Sequence, residues 1–236
     1  QPGSGTRCRV TASAGRDPLP AGRGSKDTEG AAPLGVALHR RDGEYPGEEC
    51  ASVAAITPEL MGTFTEVGKD LYQLGLVSSH GGNLSVRVGH EMWITGTGTM
   101  LGRLRERHIA FVRPDGGYEG PPPSSDTTLH TAIYALGGAA AVVHAHPHHA
   151  IAMTFETDRF IPPDFEGQHF LEDVPVIAQG PNQVAQLASA LQSRLVAVLQ
   201  GHGAYARGQT LWEALHWITA LEESAHIAWL RQAARP

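Results

Sequence analysis

The run Ala140-Ala-Val-Val-His-Ala145 constrains this chain more than any other stretch. It is continuously apolar up to its histidine and bounded by Gly137-Gly138 and Pro147, which suits a strand buried in a core. His144 ends the run and His146 stands two residues further on. Side chains at i and i+2 of a strand point to the same face, so two imidazoles there can grip one cation. A third imidazole must come from elsewhere. His202, in Gln200-Gly-His-Gly203, directly follows a second apolar run, Leu195–Leu199. If those two strands are neighbours, their ends coincide and three imidazoles converge. Three protein ligands with one open position is the arrangement of a catalytic zinc site, whereas structural zinc sites are closed by four.

The rest of the pattern supplies a frame for such a site. Leu60, Phe64, Val67, Leu71 and Leu74 recur at helical spacing from about Pro58, and Gly75 ends the run. Leu84–Val88 and Met92–Thr95 are expected as strands around a Gly89-His90 turn, and Ile109–Val112 as a further strand before Pro114-Asp-Gly-Gly117. A helix is expected over Ser125–Leu136, with Asp126 in its first turn. The strand Ala140–Ala145 follows, then a strand Val174–Ile177, a helix Asn182–Arg194, the strand Leu195–Leu199 and a closing helix Thr210–Ala233. Thr210-Leu-Trp-Glu213 has the form of a capping box. Strands that alternate only loosely with helices favour an α/β fold, a three-layer α/β/α sandwich with a mostly antiparallel central sheet.

Residues 1–50 differ from the rest: nine Gly, five Pro and no sustained apolar period predict a disordered N-terminal extension, leaving 51–236 as the folded domain. Cys8 and Cys50 are the two cysteines, too few for a disulfide framework, so a reducing, cytoplasmic setting is expected. No apolar run reaches membrane-spanning length, and a formal charge of −6 argues against nucleic acid as a partner. That charge does not exclude an anionic ligand, because backbone amides and a metal set the field inside a pocket. Three loops suit an anion: Ser79-His-Gly-Gly-Asn83, Thr95-Gly-Thr-Gly98 and Pro123-Ser-Ser125, the last opening a helix. Two other His-x-His chemistries fit badly. A metallo-β-lactamase-type site needs an acid where His148 stands, and a cupin needs a glutamate near Ala150 and Ile151.

Together these stretches resemble the class II aldolase/adducin family. Gly75-Leu-Val77 through Gly82-Asn-Leu-Ser85, Ile94-Thr-Gly-Thr-Gly98, Pro123-Ser-Ser-Asp126, Val142-Val-His-Ala-His146 and His202-Gly203 occur in that family's order, and the resemblance covers about residues 57–233. It implies Zn2+, one per chain, on His144, His146 and His202, with Mn2+ or Co2+ as alternatives. It implies a substrate phosphate around Gly82, Asn83, Thr97, Gly98, Ser124 and Ser125, and an acid/base carboxylate at Asp126. The implied activity is aldol cleavage of a small phosphorylated sugar, a ketose 1-phosphate, to dihydroxyacetone phosphate and an aldehyde. Sugar-phosphate 4-epimerisation and methylthioribulose-1-phosphate dehydration are alternatives on the same metal, and an adducin-like, non-enzymatic role is a third. The implied assembly is a homotetramer with sites at subunit interfaces. Aspartate at 126 departs from the aldolases' usual glutamate and is closer to the epimerases; His80 stands where Thr or Ser is common. None of the tyrosines, at 45, 72, 118, 134 and 205, lies beyond the last helix, where the aldolases carry a catalytic one, so the aldehyde-side proton donor is left unassigned.

Overall fold

A computed structural model of the chain describes residues 54–235. The extension expected over 1–50 lies outside them. The first helix, α1 (Pro58–Gln73), starts where Thr57 Oγ1 accepts from the Leu60 amide with proline in the first turn, and it ends at Leu74 and Gly75, whose φ is 70°. Its buried stripe is Phe64, Val67 and Leu71. Burying each of these removes roughly 1.5–3 kcal/mol worth of apolar surface from water.

The fold is α/β, with one sheet and six helices among the described residues. Its strands are β1 (Asn83–Val88), β2 (Glu91–Thr95), β3 (Ile109–Val112), β4 (Tyr118–Glu119), β5 (Ala141–Ala145), β6 (Arg159–Phe160), β7 (Val174–Ile177), β8 (Val196–Leu199) and β9 (Gly203–Gly208). They lie in the order β4-β3-β2-β1-β5-β9-β8-β7-β6. Only β7 and β8 pair in parallel. The remaining helices are α2 (Thr127–Ala135), α3 (His148–Met153), α4 (Phe165–Phe170), α5 (Gln183–Ser193) and α6 (Leu211–Ala233). None of the described helices is long and apolar enough to cross a membrane.

The central strand β5 shows how the site is framed. Ala141, Val143 and Ala145 enter one core with Phe64 and Leu71 of α1 and Ile218 and Leu221 of α6. Val142 enters a second core with Ile133 of α2 and Leu187 and Leu191 of α5. Alternation along a strand puts His144 on the Val142 side. The condition that β5 and β8 be neighbours is not met: β9 lies between them and pairs with both. Its sequence, Gly-Ala-Tyr-Ala-Arg-Gly, lacks the β-branched residues that mark β8, so small side chains concealed a strand whose inner positions need them. The helix expected from Ser125 begins instead at Thr127.

Candidate active site

Register places three side chains in a row. His144 of β5 is opposite Asn83 of β1 and opposite Tyr205 of β9. Adjacent strands lie about 4.8 Å apart, so the three residues share one face of the sheet at contact distance. The Tyr205 ring stacks on His144, with centroids 4.0 Å apart and planes 9° from parallel. His202 comes from the turn between β8 and β9, and His146 from the residue just past β5, where its amide donates to Leu76 O at 2.7 Å.

The Nε2 atoms of His146 and His202 each lie 3.1 Å from Nε2 of His144. His144 Nδ1 sits 3.0 Å from Ala204 O. A carbonyl only accepts, so Nδ1 carries the proton and Nε2 of the neutral ring presents its lone pair to the other two imidazoles. Burial pushes His144 down to about 3, against the pull of Asp126, so the ring is neutral near pH 7. Burial, and then the neighbouring His202, also lowers His146. Three histidine nitrogens so placed can hold a metal ion. In a tetrahedral site with nitrogens at 2.0–2.1 Å the edge is about 3.3 Å, close to the two 3.1 Å spacings from His144, and all three ligand atoms lie within 4.8 Å of one another. Glycine is required at 203: a Cβ there would stand 2.4 Å from Ala145 O, 2.7 Å from His146 Cδ2 and 2.9 Å from His144 Cε1. At Gly82 the φ of 74° and a Cβ contact of 2.7 Å to His144 O exclude a side chain for similar reasons.

Asp126 precedes α2 and makes no capping bond with its side chain. Its carboxylate turns toward the histidines instead. Oδ2 accepts from Asn83 Nδ2 at 2.8 Å and from Tyr205 OH at 2.9 Å, and lies 3.8 Å from His144 Nε2. Burial raises the Asp126 carboxyl, while His144 and the two donated hydrogen bonds bring it below the ordinary carboxylate value. Asn83 and Tyr205 are the uncharged donors among those causes, and their hydrogen bonds favour the ionised carboxylate. Burial and the Asp126 carboxylate together push the Tyr205 phenol up, so it remains a donor.

All ten predicted site residues line one pocket: His144, His146, His202, Asp126, Gly82, Asn83, Thr97, Gly98, Ser124 and Ser125. The second and third loops are knitted together, with Thr97 N donating to Pro122 O at 2.9 Å, Thr97 Oγ1 to Pro123 O at 2.8 Å, and Ser124 N to Thr95 O at 3.1 Å. These bonds occupy the Thr97 amide and hydroxyl. The amides of Gly82, Gly98 and Ser125 have no hydrogen-bond partner among the described residues. Asn83 Oδ1 is buried without a partner.

Sequence reasoning missed Tyr205, because its place depends on β9. It also missed a polar stripe on α2. Asp126, His130 and Tyr134 are spaced by four and face β1: Ser85 Oγ lies 2.6 Å from both His130 Nδ1 and Tyr134 OH. Burial lowers His130 from 6.5 to about 4, with Asp126 opposing. Because the folded-state value is depressed, the unfolded chain binds the proton first as pH falls. Stability is complete above about pH 6.5 and declines toward pH 4, by roughly 3 kcal/mol from this residue. Denaturant titrations should show a stability plateau above neutrality and a fall between pH 6.5 and 4.5; stability unchanged over that interval would contradict this.

The sequence profile of the class II aldolase and adducin N-terminal domain family matches residues 63–229. The chain belongs to this family. A relative, the L-fuculose phosphate aldolase of Methanocaldococcus jannaschii, is 30% identical over 176 residues, covering 71% of this chain and 94% of the relative. The 5-methylthioribulose-1-phosphate/5-deoxyribulose-1-phosphate aldolase of Rhodospirillum rubrum is also 30% identical, covering 70% and 77% respectively. Among solved structures, L-fuculose-1-phosphate aldolase from Thermus thermophilus superposes with a TM-score of 0.69 at 38% identity, over 76% of this chain and 99% of that one.

Proposed function

We propose that this class II aldolase family member is a zinc-dependent aldehyde-lyase that cleaves a ketose 1-phosphate to dihydroxyacetone phosphate and an aldehyde. The observation that carries this reading is the convergence of three histidine Nε2 atoms with the Asp126 carboxylate in a pocket edged by unpaired amides. His144, His146 and His202 would hold the zinc, which supplies Lewis-acid stabilisation of negative charge on the substrate oxygens. The amides of Gly82, Gly98 and Ser125, with the Ser124 and Ser125 hydroxyls, suit the phosphate, and Ser125 lies just ahead of α2, where the helix dipole favours an anion. Asn83 serves the carboxylate with one N–H and retains a second for the ligand.

In the cleavage direction a hydroxyl of the substrate gives up its proton and becomes the aldehyde carbonyl as the adjacent C–C bond breaks. The electron pair of that bond stays with the phosphate-bearing fragment, which takes a proton on carbon to become dihydroxyacetone phosphate. Asp126 is the group placed to hold and return that proton. Its Oδ2 is engaged by two donors, and Oδ1 has no partner among the described residues, so Oδ1 is the oxygen available to the pocket.

A second reading keeps the metal and changes the reaction to 4-epimerisation or dehydration. Aspartate at 126, closer to the epimerases' residue, favours 4-epimerisation over a strict aldolase. The Rhodospirillum rubrum relative bears on the substrate: its name pairs 5-methylthioribulose 1-phosphate with aldol cleavage rather than dehydration. The intact histidine cluster weighs against an adducin-like, non-enzymatic role. The family resemblance supports a homotetramer with sites at its subunit interfaces, and the two-cysteine sequence supports a cytoplasmic setting.

The phosphate assignment is tested by comparing a ketose 1-phosphate with the dephosphorylated ketose. Loss of several charge-assisted hydrogen bonds should lower kcat/KM by at least about a hundredfold, since that remote binding energy supports the reacting geometry. Equal turnover of the two would contradict it.

A further inference from the structure

We infer that Tyr205 is a positioning residue for the acid/base carboxylate: its hydroxyl, with the Asn83 amide, clamps Oδ2 of Asp126 and so aims Oδ1 at the substrate. The inference rests on the reading of Asp126 as the proton-shuttling group.

Five observations carry it. Tyr205 is 1% exposed, so its hydroxyl cannot trade Asp126 for water at little cost. That hydroxyl donates to Asp126 Oδ2 at 2.9 Å. Asn83 Nδ2 donates to the same oxygen at 2.8 Å from the opposite neighbour of β5, so the carboxylate is held from two strands at once. Stacking on His144 at 4.0 Å then fixes the phenol ring against the residue that would hold the metal. Asp126 itself stands outside α2 at φ −83° and ψ 4°, free of helix hydrogen bonding by its side chain, so little else restrains its rotamer. A carboxylate held by one oxygen in this way presents the other in a fixed direction. General acid/base transfer requires that alignment within a few tenths of an ångström.

A purely structural role predicts something different. Phenylalanine keeps the ring, the stacking on His144 and the core packing, and removes only the donor. Tyr205→Phe should therefore retain zinc stoichiometry and keep KM within about twofold of the unsubstituted protein, while kcat falls roughly tenfold to a hundredfold, the usual effect of removing a hydrogen bond to a charged group. In the Asp126→Asn background the same change should cost almost nothing further, because Tyr205 acts through that carboxylate. Unchanged kcat in Tyr205→Phe, or an equal loss in both backgrounds, would overturn the inference.

A crystal structure of substrate-free Tyr205→Phe gives a reading that does not depend on the reaction. The Asp126 carboxylate should rotate or divide between two conformers. A carboxylate left in place on Asn83 would overturn the clamp. A failure of the unsubstituted protein to cleave any ketose phosphate would count against the proposed function and leave this structural result to decide the clamp.

Discussion

Replacing His146 with alanine is expected to strip stoichiometric zinc from the protein on dialysis and to lower kcat/KM by at least about a thousandfold, the several kcal/mol that a Lewis-acid metal supplies. Among the described residues the cluster has three histidine nitrogens, so no ligand in it is spare. His146 is the informative position. It follows β5 rather than lying within it and is only partly buried, so its ring contributes little to the core. The variant should melt within a few degrees of the metal-free unsubstituted protein. His144 is a poorer choice, because it is buried, stacks on Tyr205 and donates to Ala204 O, so its removal also disturbs packing. Elemental analysis after dialysis checks the prediction, and full zinc occupancy in His146→Ala would contradict it.

Asp126→Asn should lower kcat by about a hundredfold to ten-thousandfold, the range for loss of a general acid/base. Two roles for this carboxylate are distinguishable. If it contacts the metal, the substitution weakens metal binding; if it moves the proton itself, metal binding holds. Oδ2 already accepts two hydrogen bonds and stands 3.8 Å from His144 Nε2, which favours the second role. Zinc content should therefore be unchanged. Stability should change little, since an asparagine oxygen still accepts from Tyr205 or Asn83. Turnover at the unsubstituted rate would remove Asp126 from the mechanism.

How much of this site the sequence disclosed depends on how local each signal is. The His144-Ala-His146 pair was legible because strand alternation and a continuous apolar run are both short-range patterns. Gly82, Gly98 and Ser125 were marked as candidates only because three Gly- and Ser-rich loops occur together in one chain, since each alone reads equally as an ordinary turn or helix cap. Their free N–H groups were not, because that depends on which carbonyls the neighbouring loop offers: Thr97, in the same cluster, has its amide and hydroxyl taken by Pro122 and Pro123. The convergence of His202 was anticipated by the wrong route. Its strand end meets β5 only through β9, a strand of small residues that reads as a loop. Tyr205 was hidden with it. A tyrosine between two alanines carries no mark of function until cross-strand register sets it against His144. The stripe of Asp126, His130 and Tyr134 could have been found by its spacing of four. It was obscured because a polar face on a helix is ordinarily the solvent face, and here it meets Asn83 and Ser85 of β1.

Direct detection of the triose phosphate decides whether the chain is an aldolase. The zinc-loaded protein is incubated with a set of ketose 1-phosphates that differ only in the half released as aldehyde, and dihydroxyacetone phosphate and aldehyde are quantified separately. Equimolar release of both is expected from at least one member of the set, with loss of release on chelation and its return on adding zinc. Consumption of a ketose phosphate without triose phosphate, giving an epimer or a dehydrated product instead, would contradict it.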